Sequence, residues 1–227
     1  MRNFVLTSLC STIIFLIGCS ENKNQASPSD GETVDQNLSI VNISSLSLEP
    51  KEYVQWVQDP DNGLKREKII DDLIFSVQYK PGEYIICREQ RQAQLQAGLV
   101  KQKLAGLNGM QYYDLTIKMK SGEGELLKQG LASVEQYDQR VKYFAFAMQN
   151  DIQLVEGNDT LPCSLFHFER AYDITPQATF LLGFPVNENT SKEDKTLIIY
   201  DKTFNSGLIK LTFPINRLNN LPRLKTL

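Results

Sequence analysis

Residues 73–79 read LIFSVQY and residues 113–119 read YDLTIKM, and in both stretches apolar and polar side chains alternate. The apolar members share one strand face: Leu73, Phe75, Val77 and Tyr79 in the first stretch, and Tyr113, Leu115, Ile117 and Met119 in the second. A period of two residues is typical of strands with one buried and one solvated face. These two stretches therefore predict a sheet that covers a core on one side.

Further short stretches of apolar and β-branched residues predict additional strands, with turn residues between most of them. The turns are SGEGE at 121–125, EGND at 156–159 and NSG at 205–207. The additional strands are predicted at 141–148, 162–170, 177–184, 196–201 and 207–213. The pattern favours an α+β fold, mainly β, with an antiparallel, sandwich-like sheet and one to three short helices.

Three segments have helical character. Pro50 suits a first helical turn and predicts a helix over 50–58. The spacing of leucines on a Gln- and Lys-rich background favours a second helix between 88 and 106. A weaker helix is expected over 125–135. The core-facing stripe of the first helix is Tyr53, Trp56 and Val57.

Composition places the chain among folded proteins of one domain plus a tail. It has 227 residues, 41% hydrophobic and 22% charged, with a formal charge of −3 and a pI near 5.3. That is enough apolar material for a packed core. A weakly acidic, balanced chain offers no electrostatic reason to bind nucleic acid.

The N-terminus has the anatomy of a signal peptide. Arg2 is the one charge before Glu21, and residues 4–18 read FVLTSLCSTIIFLIG. A positive start followed by a short apolar run is typical of secretory signals. The run is shorter than the roughly 20 residues of a bilayer span, which argues against a transmembrane helix.

The end of this run, Leu16-Ile17-Gly18-Cys19, resembles the lipobox of bacterial lipoproteins. The resemblance implies cleavage after Gly18 and acylation of Cys19, palmitate included, so that the protein is attached to a membrane by lipid. Ser20, rather than an Asp, follows the cysteine, and in that family this favours the outer membrane over the inner one. No cofactor is implied.

The predicted organisation is a signal peptide at 1–18, a lipidated cysteine and disordered tether at 19–45, and one strand-rich domain at 46–227. The tether is rich in Ser, Asn, Asp, Glu and Gln, which bury too little apolar surface to fold alone. Its more apolar end, 38–43, is a candidate strand. Past the signal region, Cys87 and Cys163 form either one disulfide or two separate buried thiols, and spacing alone does not choose between them.

Catalytic residue types are sparse. His167, the single histidine, shares a predicted strand face with Cys163 and Glu169, so His167 and Glu169 are candidates for an acid–base pair. A hydrogen-bonded structural histidine is the simpler interpretation. No metal site is predicted, since the EF-hand-like DPDNG at 59–63 lacks the required ligands at later positions.

Two weaker resemblances concern export. Asp159-Thr160-Leu161 resembles the three-residue O-glycosylation signal of some exported Gram-negative proteins, which makes Thr160 a glycosylation candidate. Residues 156–185 resemble a segment of uncharacterised lipoproteins of Gram-negative bacteria, and that resemblance implies location rather than activity.

The sequence thus favours a non-enzymatic envelope lipoprotein that binds a ligand or an envelope protein partner. One alternative is an anchored hydrolase that uses His167 with Glu169. Another is a structural subunit of an envelope complex, which an exposed apolar patch would favour.

Overall fold

The structure is a computed structural model that describes residues 43–91, 93–169, 176–190 and 192–227. The predicted signal peptide, Cys19 and nearly all of the tether lie outside these residues, as does most of the candidate strand at 38–43. Its last residue, Ile43, begins a short 3-10 turn, Ile43–Ser45. Within the described residues no helix is long and apolar enough to cross a bilayer.

Eleven strands and five α-helices are present in the described residues. The strands are β1 (Ser47–Leu48), β2 (Lys65–Ile70), β3 (Leu73–Lys80), β4 (Met110–Met119), β5 (Ile152–Glu156), β6 (Asp159–Pro162), β7 (Leu165–Glu169), β8 (Gln177–Pro185), β9 (Lys195–Asp201), β10 (Gly207–Phe213) and β11 (Arg223–Leu224). The helices are α1 (Pro50–Gln58), α2 (Gly82–Gln90), α3 (Ala97–Leu107), α4 (Val134–Lys142) and α5 (Ile215–Leu218).

Nine of the strands form two antiparallel sheets. The five-stranded sheet has the order β2-β3-β4-β8-β7, and the four-stranded sheet has the order β10-β9-β5-β6. The remaining two strands, β1 and β11, form a short parallel pair. The predicted α+β, mainly β, antiparallel fold is confirmed, although the described residues contain more helices than the one to three expected.

The inner faces of the two sheets pack against each other around one core. The ring of Tyr113 on β4 lies 5.6 Å, centroid to centroid, from the ring of Phe213 on β10 in the opposite sheet. Side chains from two facing sheets that interdigitate in this way make a sandwich core. The predicted inner residues of β3 and β4 are buried or half-buried, so the alternation located the core correctly.

The two sheets are also joined at both sides. On one side, Arg66 on the edge strand β2 donates from Nε to the carbonyl of Thr212 on the edge strand β10, at 2.9 Å. On the other side, only Cys163 and Ser164 separate β6 from β7, which belong to different sheets. Cys163 is therefore a buried corner residue and does not share the strand face of His167, contrary to the prediction of one strand over 162–170.

A buried polar network ties the two sheets together near one end. Glu156 on β5 is fully buried and pairs with Lys195, its cross-strand neighbour on β9. The same carboxylate accepts a hydrogen bond from the side-chain amide of Gln111, on β4 of the other sheet. Gln111 in turn accepts from the hydroxyl of Tyr113 at 3.2 Å. A buried charge is tolerated only with such partners.

The helix predictions were partly correct. Helix α1 has the predicted bounds, with Tyr53 and Val57 buried. The helix expected between 88 and 106 is instead two helices, α2 and α3, because α2 ends at Arg91 in the left-handed conformation, φ 52°. Leu95 in the connection is buried between them, in a second hydrophobic cluster with Ile86 and Val100.

The prediction of a strand at 141–148 was wrong. A helix capped by Ser133, whose hydroxyl accepts from the N–H of Gln136, runs through α4 and continues as a π-helical turn, Tyr143–Ala147. The helix expected over 125–135 therefore starts later, and 126–128 is a 3-10 turn. Phe144 is fully buried in the core, with its ring 5.2 Å from that of Phe180. Burial of this ring in the core favours the helix more than the short apolar alternation favours a strand.

Cys87 and Cys163 are free, buried thiols. Cys87 belongs to the cluster between α2 and α3, whereas Cys163 belongs to the main core. The structure thus has the separate-thiol arrangement and not the candidate disulfide. Burial raises the pKa of each thiol to about 11.

We expect removal of one partner of the buried ion pair to be costly. Lys195→Met leaves Glu156 charged and buried, and should lower the free energy of unfolding by about 3–5 kcal/mol. Urea denaturation at pH 7 measures this. The control Lys210→Met removes an exposed lysine from the adjacent strand and should change stability by less than about 0.5 kcal/mol. Equal effects of the two variants would contradict the network's role.

The cysteines should react only when the protein unfolds. Because the thiolate is the nucleophile, a pKa of about 11 lowers the reactive fraction at pH 8 by about 100-fold relative to a thiol near 9, and burial limits access further. Iodoacetamide labelling with peptide mapping checks each cysteine in native and denatured protein. A disulfide-linked peptide that joins Cys87 to Cys163 would contradict the assignment.

The same shift predicts a pH effect on stability. Unfolded thiols lose their protons near pH 9, but the folded thiols retain theirs to about pH 11. The unfolded state therefore binds fewer protons between these values, and the free energy of unfolding should fall as the pH rises. Replacing both cysteines with alanine should reduce this slope in pH-dependent denaturation.

Candidate functional site

The outer face of the five-stranded sheet carries a row of hydroxyl groups. The register places Ser76 on β3 opposite Thr116 on β4, and Thr116 opposite Thr179 on β8. All three point away from the core, because inner and outer residues alternate along each strand. The row crosses three strands, so its ends are about 10 Å apart.

Amide side chains extend this polar surface. Gln78, two residues from Ser76 on β3, donates from Nε2 to the carbonyl oxygens of Val57 and Leu64, at 3.0 and 3.1 Å. These bonds attach the end of α1 to the sheet. Gln177 lies on β8, two residues before Thr179, and is exposed. Both amides line the same groove as the hydroxyl row.

Helices α1 and α2 form a wall on one side of the groove. Gln58, the last residue of α1, donates to the hydroxyl of Tyr84 on α2 at 3.1 Å, and both residues line the groove. Pro81 directly after β3 ends that strand, and α2 begins at Gly82. The turn therefore places α2 beside the sheet, where Arg88, one helical turn after Tyr84, also reaches the groove.

The two carboxylates of the groove are already neutralised. Glu67 pairs with Lys65 on the same strand, and Asp114 pairs with Lys80 on the neighbouring strand, each with an N–O distance of 2.9 Å. The bond from Lys65 lowers the pKa of Glu67 below its ordinary value. Half-exposed pairs of this kind contribute only about 0–1 kcal/mol to stability. Their main effect is to cancel negative charge in the groove.

Two basic residues of the groove have no such partner. Within the described ranges, Lys118 on β4 and Arg88 on α2 form no hydrogen bond or ion pair. Lys118 is half-buried and follows Thr116 by two residues on the same face, while Arg88 is exposed on the helical wall. Lys118 also attracts Glu67, but the basic residues of the lining outnumber its two carboxylates, and an excess of positive charge in a concave site attracts anions.

The groove encloses about 470 Å³ and is lined mainly by polar atoms. Small-molecule sites fall between about 300 and 1,000 Å³, so the size fits a ligand of one or two rings. Most such sites have apolar walls. This groove has a polar floor instead. A ligand that displaces water from the floor must offer hydrogen bonds in place of those that the water made.

His167 and Glu169 lie next to this groove and not in it. Both are exposed on the outer face of the edge strand β7, where Glu169 pairs in register with Thr179. No hydrogen bond joins the imidazole to the carboxylate among the contacts of the described residues. Neither side chain lines the groove described above. The candidate acid–base pair is thus an exposed pair at a sheet edge, and Glu169 extends the hydroxyl row at that edge.

The remaining sequence candidates are dispersed. Thr160 is exposed on β6, the edge strand of the other sheet. Cys87 and Cys163 are buried in separate clusters. Cys19 lies outside the described residues. Across the part of the chain that the structure describes, no group of three or more His, Cys, Asp or Glu side chains could hold a metal ion.

Sequence reasoning did not identify the groove, although part of its signal was visible. The alternation predicts a solvated face, and the polar positions on it, Ser76 and Gln78 in one stretch and Asp114, Thr116 and Lys118 in the other, do lie on the outer face of the sheet. Strand order and the position of α2, which make the face concave, depend on pairings far apart in sequence. A local pattern does not contain them.

Comparisons of the chain with models of known protein families, with curated proteins and with solved structures gave no match.

Proposed function

We propose that this chain is a lipid-anchored protein of the cell envelope whose globular domain binds a polar ligand in the groove on the five-stranded sheet. The observation that carries the binding role is the groove itself, a cavity of about 470 Å³ with a hydroxyl- and amide-lined floor. A polar concavity with an excess of positive charge is the type of surface that recognises a polar molecule through hydrogen bonds and charge.

The anchor rests on the sequence. The lipobox-like Leu16–Cys19 follows an apolar run, and a polar tether separates it from the first described turn at Ile43–Ser45. Several acyl chains on one cysteine give stable attachment, at about 0.8 kcal/mol per buried CH₂. Ser20 favours the outer membrane as the destination. An anchored binding domain of this kind holds its ligand, or an envelope partner that carries the ligand, near the membrane.

The hydrolase alternative gains no support from the geometry. Catalysis by an acid–base pair needs both groups within hydrogen-bond reach of a bound substrate. His167 and Glu169 are exposed on an edge strand beside the groove. The binding role is therefore the better supported proposal.

Loss of the anchor should follow from Cys19→Ala. Cells that express the full chain and are fed labelled palmitate should yield labelled wild-type protein in the outer-membrane fraction. Cys19→Ala should carry no label and leave that fraction. Cys10→Ala, which alters the other cysteine of the same apolar run, is the control and should behave like wild type. Label that persists in Cys19→Ala would refute the lipid attachment.

Filling the groove should abolish ligand binding. The full chain in lipid nanodiscs is screened by saturation-transfer NMR against neutral and charged sugars, amino acids and dipeptides. Compounds that bind wild type should lose their signal with Thr116→Trp, since the indole occupies the middle of the floor. Thr196→Trp is the matched control on the outer face of the other sheet and should retain binding.

Two outcomes would count against a binding groove. One is a screen in which no compound gives a signal with wild type. The other is a set of ligands that bind Thr116→Trp as well as they bind wild type, because those ligands would occupy another surface.

A further inference from the structure

The occupant of the groove must itself be polar. Ser76 is buried, and Thr116, Thr179 and Gln78 are half-buried, so a ligand that covers the floor removes their remaining contact with water. An apolar occupant would leave the hydroxyls of Thr116 and Thr179 without hydrogen bonds, at a cost of about 1–3 kcal/mol each, whereas Ser76 keeps its bond to Glu67 and Gln78 keeps its bonds to backbone carbonyls. The floor therefore selects against hydrocarbon chains and for molecules with many polar groups.

The hydroxyl row fits a ligand whose groups both donate and accept. Each Ser or Thr hydroxyl has one donor and two acceptor positions. Sugar hydroxyls have the same dual character and are closely spaced around a ring. The row from Ser76 to Thr179 is about 10 Å long, about the length of two linked sugar rings. Glu169, beyond Thr179 in register, offers an acceptor for further hydroxyls at the sheet edge.

The position of the site distinguishes a sugar from a peptide. Peptides are bound mostly by addition to a sheet edge, by an apolar groove that takes a helix, or by aromatic-lined grooves for Pro-rich segments. Here the site lies on the face of the central strands β3, β4 and β8. Its floor is polar, and the hydrogen bonds of these central strands are already used within the sheet.

Charge then specifies the class of sugar. Lys65 and Lys80 form ion pairs with Glu67 and Asp114, whereas Lys118 and Arg88 form none among the described residues, although the charge of Lys118 also attracts Glu67. Lys118 lies about 7 Å along the strand from Thr116, beside the hydroxyl row. A carboxylate on a sugar that rests on the row can reach this ammonium group. The exposed guanidinium of Arg88 can meet a second carboxylate through a forked pair of bonds.

From these contacts we infer that the groove binds an acidic oligosaccharide, in which sugar hydroxyls contact the Ser76–Thr116–Thr179 row and carboxylates pair with Lys118 and Arg88. This inference rests on the proposed binding function, and adds the ligand class to it.

The test uses a galacturonic acid trimer and a neutral maltotriose of the same length, each titrated into the full chain in nanodiscs by calorimetry. We expect the acidic trimer to bind and the neutral trimer to bind at least about tenfold more weakly. Lys118→Met should weaken binding of the acidic trimer by about tenfold or more, with a smaller salt dependence. Thr116→Val, which keeps the side-chain shape and removes the hydroxyl, should weaken both trimers.

Matched controls separate local contacts from net charge. Lys210→Met removes the same charge from an outward-facing strand position of the other sheet, and should leave binding of the acidic trimer unchanged. Lys101→Gln on α3 serves the same purpose for Arg88→Gln on α2. Denaturation curves confirm that each variant is folded.

Several results would overturn the inference while leaving the binding groove intact. Equal affinity for the neutral and acidic trimers would show that the cations do not select the ligand. Binding of an acidic peptide such as triglutamate, but of neither trimer, would assign the groove to a peptide. If Lys118→Met and Lys210→Met weaken binding of the acidic trimer equally, the affinity comes from the net charge of the protein and not from a contact in the groove. Insensitivity of every ligand to Thr116→Trp would instead count against the binding groove itself.

Discussion

The buried pair of Glu156 and Lys195, together with Gln111, is the interaction on which the arrangement of both sheets depends. The carboxylate is fully buried, so it needs Lys195 from the neighbouring strand and Gln111 from the opposite sheet at the same time. A register slip of one residue would move Glu156 to the other face and break both contacts. The network therefore fixes β5 against β9 and also fixes β4 against the other sheet. Since the outer face of β4 carries Thr116 and Lys118, the same constraint positions the middle of the groove.

Much of the fold could be predicted from local patterns. Alternation over 73–79 and 113–119 gave the central strands and their buried faces, and the Asn205-containing turn between β9 and β10 was visible as NSG. The edge strand β2 was not predicted, because its Lys-Arg-Glu-Lys start lacks an apolar alternation and its position is set by pairing with β3. The stretch at 141–148 failed for another reason, since apolar alternation there is short and burial of Phe144 as part of a helix outweighs it.

Prediction of the site was less complete, and the reason is also physical. His167 and Cys163 are rare residue types in this chain, but rarity does not bring side chains together, and the corner between β6 and β7 turns these two apart. The groove instead uses common residues such as Thr116 and Gln78. Their meaning depends on three strands being adjacent and on α2 bounding the face, and those are long-range properties. The polar residues of an alternating strand thus indicate a binding site only when the adjacent strands and helices are known.

The short parallel pair of β1 and β11 has a mechanical consequence. The N–H groups of Arg223 and Lys225 donate to the carbonyls of Leu46 and Leu48, at 2.7 and 2.8 Å, and an ion pair joins Lys225 to Glu49. The chain therefore enters the domain beside its own C-terminal segment. A pulling force that arrives from the N-terminal side loads these few bonds before it reaches either sheet. Separation of β1 from β11 would lengthen the chain that precedes α1 and would withdraw Leu48 and Leu224 from the core against which they pack.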